Sequence, residues 1–225
     1  RLMAKRHWRK QQSKDKFFRR AQEEGYRARS AYKLEGINQK FRILRKGDRV
    51  LDIGAAPGSW SQKASEIVGE QGHVIAVDIQ PIQPIQGVTV IQGDIRDPEV
   101  SARIKEASGG EAFNAVISDI APNTTGIAIT DHARSIELSL FALSIALRTV
   151  RKGGNFVTKV FTGEDFDDLL ALTKRYFRLA TAFDPEATRK ESKETFIVAK
   201  NLQARAVLDP NLGPAALLDV EPEEA

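Results

Sequence analysis

The chain has 225 residues, no cysteine and three scattered histidines, His7, His73 and His132. That is enough for one α/β domain with a sizeable core, and it excludes disulfides, thiolate zinc sites and a cysteine nucleophile, with no candidate metal cluster. The formal charge of +4 is uneven: residues 1–20 carry nine Lys and Arg against Asp15, residues 201–225 carry Arg205 against five acids, and the stretch between is neutral.

No apolar run is long enough to span a bilayer, and the N-terminus is too charged for a signal peptide, so the chain reads as cytoplasmic, with Met3 as its natural start. It opens on a basic segment, 1–25, with Trp8, Phe17 and Phe18 interleaved among the cations. Such a segment suits RNA, since cations meet phosphates and rings stack on bases; the alternative is a solvated basic arm. A helix fits 30–40. Strand-like runs follow at 50–53, 74–78, 88–92, 115–118, 155–160, 180–183 and 195–199, with helical runs at 60–68, 98–108, 131–150 and 164–177 between them. The helix over 131–150 has Ile136, Leu140, Leu143 and Leu147 on one face, and Lys152-Gly153-Gly154 reads as its basic last turn and glycine stop. The alternation predicts an α/β domain over 26–200, with a mostly parallel sheet and helices on both faces. From Asn201 the chain carries Pro210, Pro214 and Pro222 and an acidic finish, and reads as a loosely ordered tail over 201–225 whose apolar 215–218 could dock.

The stretch VLDIGAAPGSW, residues 50–60, is a buried strand running into a glycine-rich turn and a helix. Its order, Gly54-Ala55-Ala56-Pro57-Gly58, lacks the second glycine of the dinucleotide fingerprint and the Lys and Ser/Thr of a P-loop. Pro57 also has no backbone donor for a pyrophosphate. A nucleoside without phosphates fits better, and S-adenosylmethionine (SAM) is one. Asp78 ends the second strand, where doubly wound folds place a ribose-binding acid, and Asp94 in QGDI ends the third, on the adenine side.

Taken together, RARSAYKL, VLDIGAAPGSWSQ, AVDIQP, QGDIRD, SDIAPNTTG, GGNFVTKVF and SKETFIVA resemble, in order and spacing, the FtsJ-like RNA ribose 2′-O-methyltransferases, from about Arg27 to Lys200. The resemblance implies a doubly wound Rossmann-like SAM-dependent methyltransferase fold of seven strands, mostly parallel, with one antiparallel strand near the end, which makes 195–199 the strand before or at the reversal. It implies a Lys-Asp-Lys-Glu tetrad at Lys33, Asp119, Lys159 and Glu194, and SAM contacts from the glycine turn (Gly54, Ala55, Pro57 and Gly58), Trp60, Asp78, Asp94 and Asp119. It implies a uridine of large-subunit ribosomal RNA as substrate, and ribosomal RNA or the large subunit as partner. A tRNA anticodon-loop ribose is the alternative within the enzyme class. A non-catalytic ribosome-assembly factor and a small-molecule methyltransferase are the alternatives outside it.

The residues support this chemistry independently. A ribose 2′-hydroxyl is a poor nucleophile until its proton is removed or polarised, whereas the methyl of SAM is already activated by its sulfonium. A lysine acts as base when burial or a neighbouring cation favours its neutral form; Lys33 is that neighbour for Lys159, with Asp119 and Glu194 opposing. Lys159 interrupts the apolar run NFVTKVF, where a lysine is costly unless it ends a strand beside a cleft.

Overall fold

The computed structural model describes residues 16–188, 193–219 and 223–224. Most of the basic segment, residues 1–15 with Trp8, lies outside the described residues. The main strands are β1 (Arg49–Ile53), β2 (His73–Asp78), β3 (Val88–Gln92), β4 (Phe113–Ser118), β5 (Val150–Phe161), β6 (Phe177–Phe183) and β7 (Glu194–Leu202). They form one sheet in the order β3-β2-β1-β4-β5-β7-β6. Strands β1 to β5 pair in parallel. Strand β7 lies between β5 and β6 and is antiparallel to both, so it is itself the one reversed strand.

The helices are α1 (Lys16–Glu23), α2 (Ala31–Phe41), α3 (Ser59–Val68), α4 (Pro98–Ala107), α5 (Ala128–Thr149), α6 (Phe166–Tyr176) and α7 (Pro214–Leu218). Alternate residues of a strand face opposite sides of a sheet, and here both sides are covered. Leu51, Ile53, Val116 and Phe156 pack with Leu140, Leu143 and Leu147 of α5 and Leu169 and Leu172 of α6. Val50, Ala115, Val157 and Phe196 pack on the other face with Leu34 and Ile37 of α2 and Trp60 and Ala64 of α3. No helix among the described residues is long and apolar enough to cross a membrane.

Two expectations are corrected. Helix α5 does not stop at Lys152-Gly153-Gly154: it ends at Thr149, and β5 starts at Val150. The two glycines sit where the β4–β5 register shifts, with Phe113 opposite Val150 and Ala115 opposite Asn155. Gly153 has a φ of +78°, and a Cβ on Gly154 would stand 2.6 Å from the Asn114 carbonyl oxygen, so both serve an irregularity in the strand. The chain after Asn201 is not loose where it is described. Strand β7 runs to Leu202, while Leu202, Ala206, Leu208 and Leu217 are buried in the α5/α6 core. Arg175 Nη1 donates to the carbonyls of Leu217 and Leu218, which fastens α7 to α6. A few buried aliphatic residues thus outweigh the acidic, proline-bearing composition. Lastly, the end of the basic segment is helical, and Ala21 of α1 is buried against Tyr32 and Ala187.

The chain passes from β1 outward to β2 and β3, then returns to β4 beside β1 and proceeds to β5. That reversal falls at the carboxyl ends of β1 and β4, the place where open sheets bind ligands.

Candidate active site

The glycine turn lies at those strand ends. Gly54 and Ala55 donate their amides to the Val77 carbonyl at 2.9 and 3.2 Å, tying the turn to β2. Gly58 caps α3 with a φ of +108°, a backbone conformation that L side chains rarely adopt and that selects glycine. Pro57 offers its carbonyl oxygen, which accepts from Arg27 Nη1 at 2.9 Å. The same guanidinium donates to the Pro84 carbonyl at 2.9 Å and so latches the turn to the loop after β2. Beyond the turn, the first amides of α3 have no partner within the helix and carry partial positive charge.

Three carboxylates gather at this end of β1, β2 and β4. Asp78 accepts from the Ala56 amide at 2.9 Å and the Gln80 amide at 2.7 Å, which aims it across the turn. Asp119 follows β4. Asp52, within β1, is 1 % exposed; its Oδ2 accepts from Ser61 Oγ at 2.6 Å, and its buried Oδ1 has no hydrogen-bond partner. Burial pushes the Asp52 carboxyl up to about 8, with the charges of Asp119 and Asp78 adding to the effect and the Ser61 hydroxyl opposing it. Asp52 was given no role from the sequence, although an acid inside the apolar run VLDI was the available signal. Asp94 stands beyond the end of β3 and is engaged by Arg96, whose Nε lies 2.9 Å from Oδ1; that hydrogen bond holds its carboxyl below the usual range.

The four residues of the expected tetrad meet on the α2/α3 face of the sheet, at the end of β5. Lys159 is 7 % exposed, and its Nζ donates to the Asp119 carbonyl oxygen at 2.7 Å. The same nitrogen lies 3.0 Å from Asp119 Oδ1, yet off the direction of a hydrogen bond, so that buried oxygen is charge-compensated but remains an open acceptor. Lys33 of α2 is 8 % exposed and donates to Glu194 Oε1 at the start of β7. In the β5–β7 pairing Lys159 opposes Phe196 and Phe161 opposes Glu194, which sets Lys159 and Glu194 on one face, diagonally adjacent. Lys33 Nζ stands 5.8 Å from the centre of the Phe196 ring, so both ion pairs border one aromatic floor.

Trp60 stands in the first turn of α3, directly after the glycine turn. Its ring is buried, stacked on Phe196 with centroids 5.6 Å apart, and Nε1 donates to the Ser30 carbonyl oxygen at 2.9 Å. What Trp60 can offer a ligand is its main-chain amide in the first turn of α3. Its side chain instead fixes the start of α2, and thereby Lys33, against α3. Ser30 Oγ and Ser59 Oγ, 2.7 Å apart, reinforce that junction.

The family model of the FtsJ-like methyltransferases matches residues 26–202, a span that contains every residue placed above. The chain belongs to the FtsJ-like methyltransferase family. It is 52 % identical over 194 residues to the ribosomal RNA large subunit methyltransferase E of Methanothrix thermoacetophila, covering 86 % of this chain and 75 % of the relative. It is 46 % identical over 186 residues to the protein of the same name from Bdellovibrio bacteriovorus, covering 82 % and 95 %. Among solved structures, a ribosomal RNA methyltransferase from Plasmodium falciparum superposes with a TM-score of 0.72 at 30 % identity, covering 79 % of this chain and 98 % of that one. Fibrillarin from Aeropyrum pernix, solved with SAM bound, shares the fold at a TM-score of 0.51 and 17 % identity, over 76 % of this chain and 73 % of that one. The match to the FtsJ-like methyltransferases therefore spans the whole seven-stranded sheet, β1 to β7.

Proposed function

We propose that the chain transfers a methyl group from SAM to a ribose 2′-hydroxyl of RNA, with a uridine of large-subunit ribosomal RNA as the substrate. The observation that carries this reading is Lys159, a buried amine at the end of an apolar strand, fixed by Asp119 and neighboured by a second lysine held on Glu194. The names of the relatives favour large-subunit ribosomal RNA over a transfer RNA ribose.

SAM fits the residues present. Its cationic methionine end suits a site where Asp119 Oδ1 is a buried acceptor without a hydrogen bond. Its ribose hydroxyls suit Asp78, its adenine the neighbourhood of Asp94, and its carboxylate the first amides of α3. When bound, SAM supplies a methyl already activated by its sulfonium. The chain's own part is to place and deprotonate. Lys159, in its neutral form, is the group that takes the proton of the 2′-hydroxyl, and the Asp119 carbonyl oxygen, accepting a hydrogen bond from it, holds the amine in place. Lys33 adds positive charge on the same side, where it favours the alkoxide that forms as the proton leaves. Glu194 keeps Lys33 in place.

The test is to map 2′-O-methylation in total RNA from cells with and without the gene, alongside single-turnover methylation by the purified protein. Lys159→Ala abolishes transfer while SAM binding by calorimetry stays near wild type, because a base acts in the transition state more than in the ground state. Lys159→Arg fails as well, since a guanidinium does not give up its proton near neutral pH. Methylation by Lys159→Ala near the wild-type rate would make the lysine structural and the reading wrong.

A further inference from the structure

We infer that a polar hollow at the end of the sheet away from Lys159 holds a backbone phosphate of the RNA, several nucleotides from the one being methylated; this rests on the RNA reading above. The hollow measures about 90 Å³. That is well below the roughly 300–1,000 Å³ of a site for a drug-sized ligand, so it takes a small group. Arg45, Arg151 and Lys200 line it, and Asp48 is the one acid among the lining residues. None of the three cations forms an ion pair with any described residue. Asp48 Oδ2 accepts from the Arg45 main-chain amide at 2.8 Å, and its charge lies within reach of Arg45 and Arg151, so the lining keeps a surplus of positive charge. A neutral side chain adds a donor: Asn114 Oδ1 accepts from the Arg49 amide at 2.8 Å, while its Nδ2 donates to no described residue. A lining with many open donors and few open acceptors selects an anion.

The hollow is also where two strands depart from regular geometry. Gly153 of β5 has a φ of +78° and Asn201 of β7 one of +61°. The left-handed region is unfavourable for a residue with a side chain, and an outlier of this kind marks a place held for a purpose. Asn155 ties the floor together: its Nδ2 donates to the Ile43 carbonyl at 2.8 Å, and its Oδ1 accepts from the Asn201 amide at 3.4 Å. Arg45 and Arg151 stay exposed above that pinned floor.

Two lengths relate the hollow to the catalytic lysine. In the β5–β7 pairing Lys200 opposes Asn155, as Phe196 opposes Lys159, so the hollow lies on the sheet face of Lys159 and Glu194. Asn155 precedes Lys159 by four residues of β5, about 13 Å at about 3.3 Å each. Helix α2 runs the other way, and from Lys33 to its C-cap Arg42 is nine residues, about 14 Å at about 1.5 Å each. A stacked strand advances about 3.4 Å per nucleotide, so the two points stand about four nucleotides apart. Between them α2 covers the sheet with Leu34 and Ile37, and an RNA that reaches both points crosses over this helix. The surroundings favour a chain of phosphates over a single free anion. Lys46 and Lys152, both exposed, continue the positive charge next to Arg45 and Arg151 in the chain, and a row of cations longer than one anion matches a nucleic-acid backbone.

The test compares the wild-type full chain with Arg151→Gln/Lys200→Gln and with a control, Lys105→Gln/Lys174→Gln, which removes the same charge from α4 and α6, the helices that pack on the other face of the sheet. Each is given a large-subunit RNA fragment that extends about ten nucleotides or more to both sides of the methylated one, and affinity is measured across a range of salt. The hollow variant should bind at least about tenfold more weakly, with a log–log salt slope smaller by about two, one for each lost phosphate contact. The control should bind within about twofold of wild type. Single-turnover methylation at saturating RNA and SAM affinity by calorimetry should match in all three, which also shows the variants folded. An unchanged affinity and salt slope in the hollow variant overturns the inference. So does an equal loss in the control, which would make the effect one of net charge, and so does a fall in the saturated rate, which would make the pair structural. Inorganic phosphate is titrated into wild type and the hollow variant as well: phosphate binding lost in the variant while RNA affinity holds assigns the hollow to a free anion and overturns the RNA contact. Wild-type protein that methylates no RNA removes the parent reading, and this one with it, before any variant is compared.

Discussion

Asp52→Asn tests the carboxyl buried beneath the glycine turn. The acid has an ordinary value of 3.8 and is raised to about 8 in the fold, chiefly by burial. Between those values the native state keeps a proton that the unfolded chain has released. Stability therefore falls as pH rises, by up to about 1.4 kcal/mol per pH unit, and the loss is complete above about pH 8. Between pH 5 and pH 8 the loss from this one group comes to about 4 kcal/mol, an upper figure for a site that can relax. Asparagine has nearly the same shape, its side-chain oxygen can accept the Ser61 hydroxyl, and it does not ionise. The advantage of the variant over wild type should therefore widen with pH and be smallest near pH 4. Urea denaturation of both proteins at pH 5, 6, 7 and 8 measures it, because groups that titrate alike in both cancel in the difference. A difference that stays constant across that range, or a wild type that gains on the variant toward pH 8, would refute a protonated Asp52.

Asp78→Ala should weaken SAM binding about tenfold or more by calorimetry, since it removes a ribose partner and frees the amides of Ala56 and Gln80. Unchanged affinity would move the ribose elsewhere. Deleting residues 1–15 removes six Lys and Arg but leaves α1 packed on Tyr32 and Ala187. RNA binding should weaken and its salt dependence flatten, while SAM affinity holds; an unchanged salt slope would return the segment to a solvated arm.

The central strands were legible because a parallel strand buried on both faces has to be apolar along its length, and β1, β2 and β4 lie where such runs occur. The pairing of Lys33 with Glu194 and of Lys159 with Asp119 was not legible from local pattern. No local pattern joins Lys33 to Glu194, which are 161 residues apart and meet because β7 folds back beside β5. The errors arose where tertiary contact overrides local composition. Lys152-Gly153-Gly154 has the chemistry of a helix stop, yet serves a strand irregularity packed against Asn114. The tail has the composition of a loose segment, yet its few aliphatic residues find the core. Helix α1 was hidden among cations, since its single buried residue, Ala21, leaves no periodic stripe. Trp60 was read by its place beside a cofactor turn, and burial of its ring against Phe196 could not be seen without the partner strand.

The insertion of β7 between β5 and β6 has a consequence for biosynthesis. The strand that brings Glu194 to Lys33 enters the sheet next to its centre, and its pairing partners are made before it. A nascent chain can assemble β1 to β4 and the glycine turn while the C-terminal third is still being translated. It cannot seat Phe196 under Trp60, or anchor Lys33, until residues 194–202 have emerged. The glycine turn thus matures early and the aromatic floor last, so a chain released before β7 would lack Lys33's anchor. The long-range closure of that strand also sets a high contact order for the final step, the kind of topology that folds slowly.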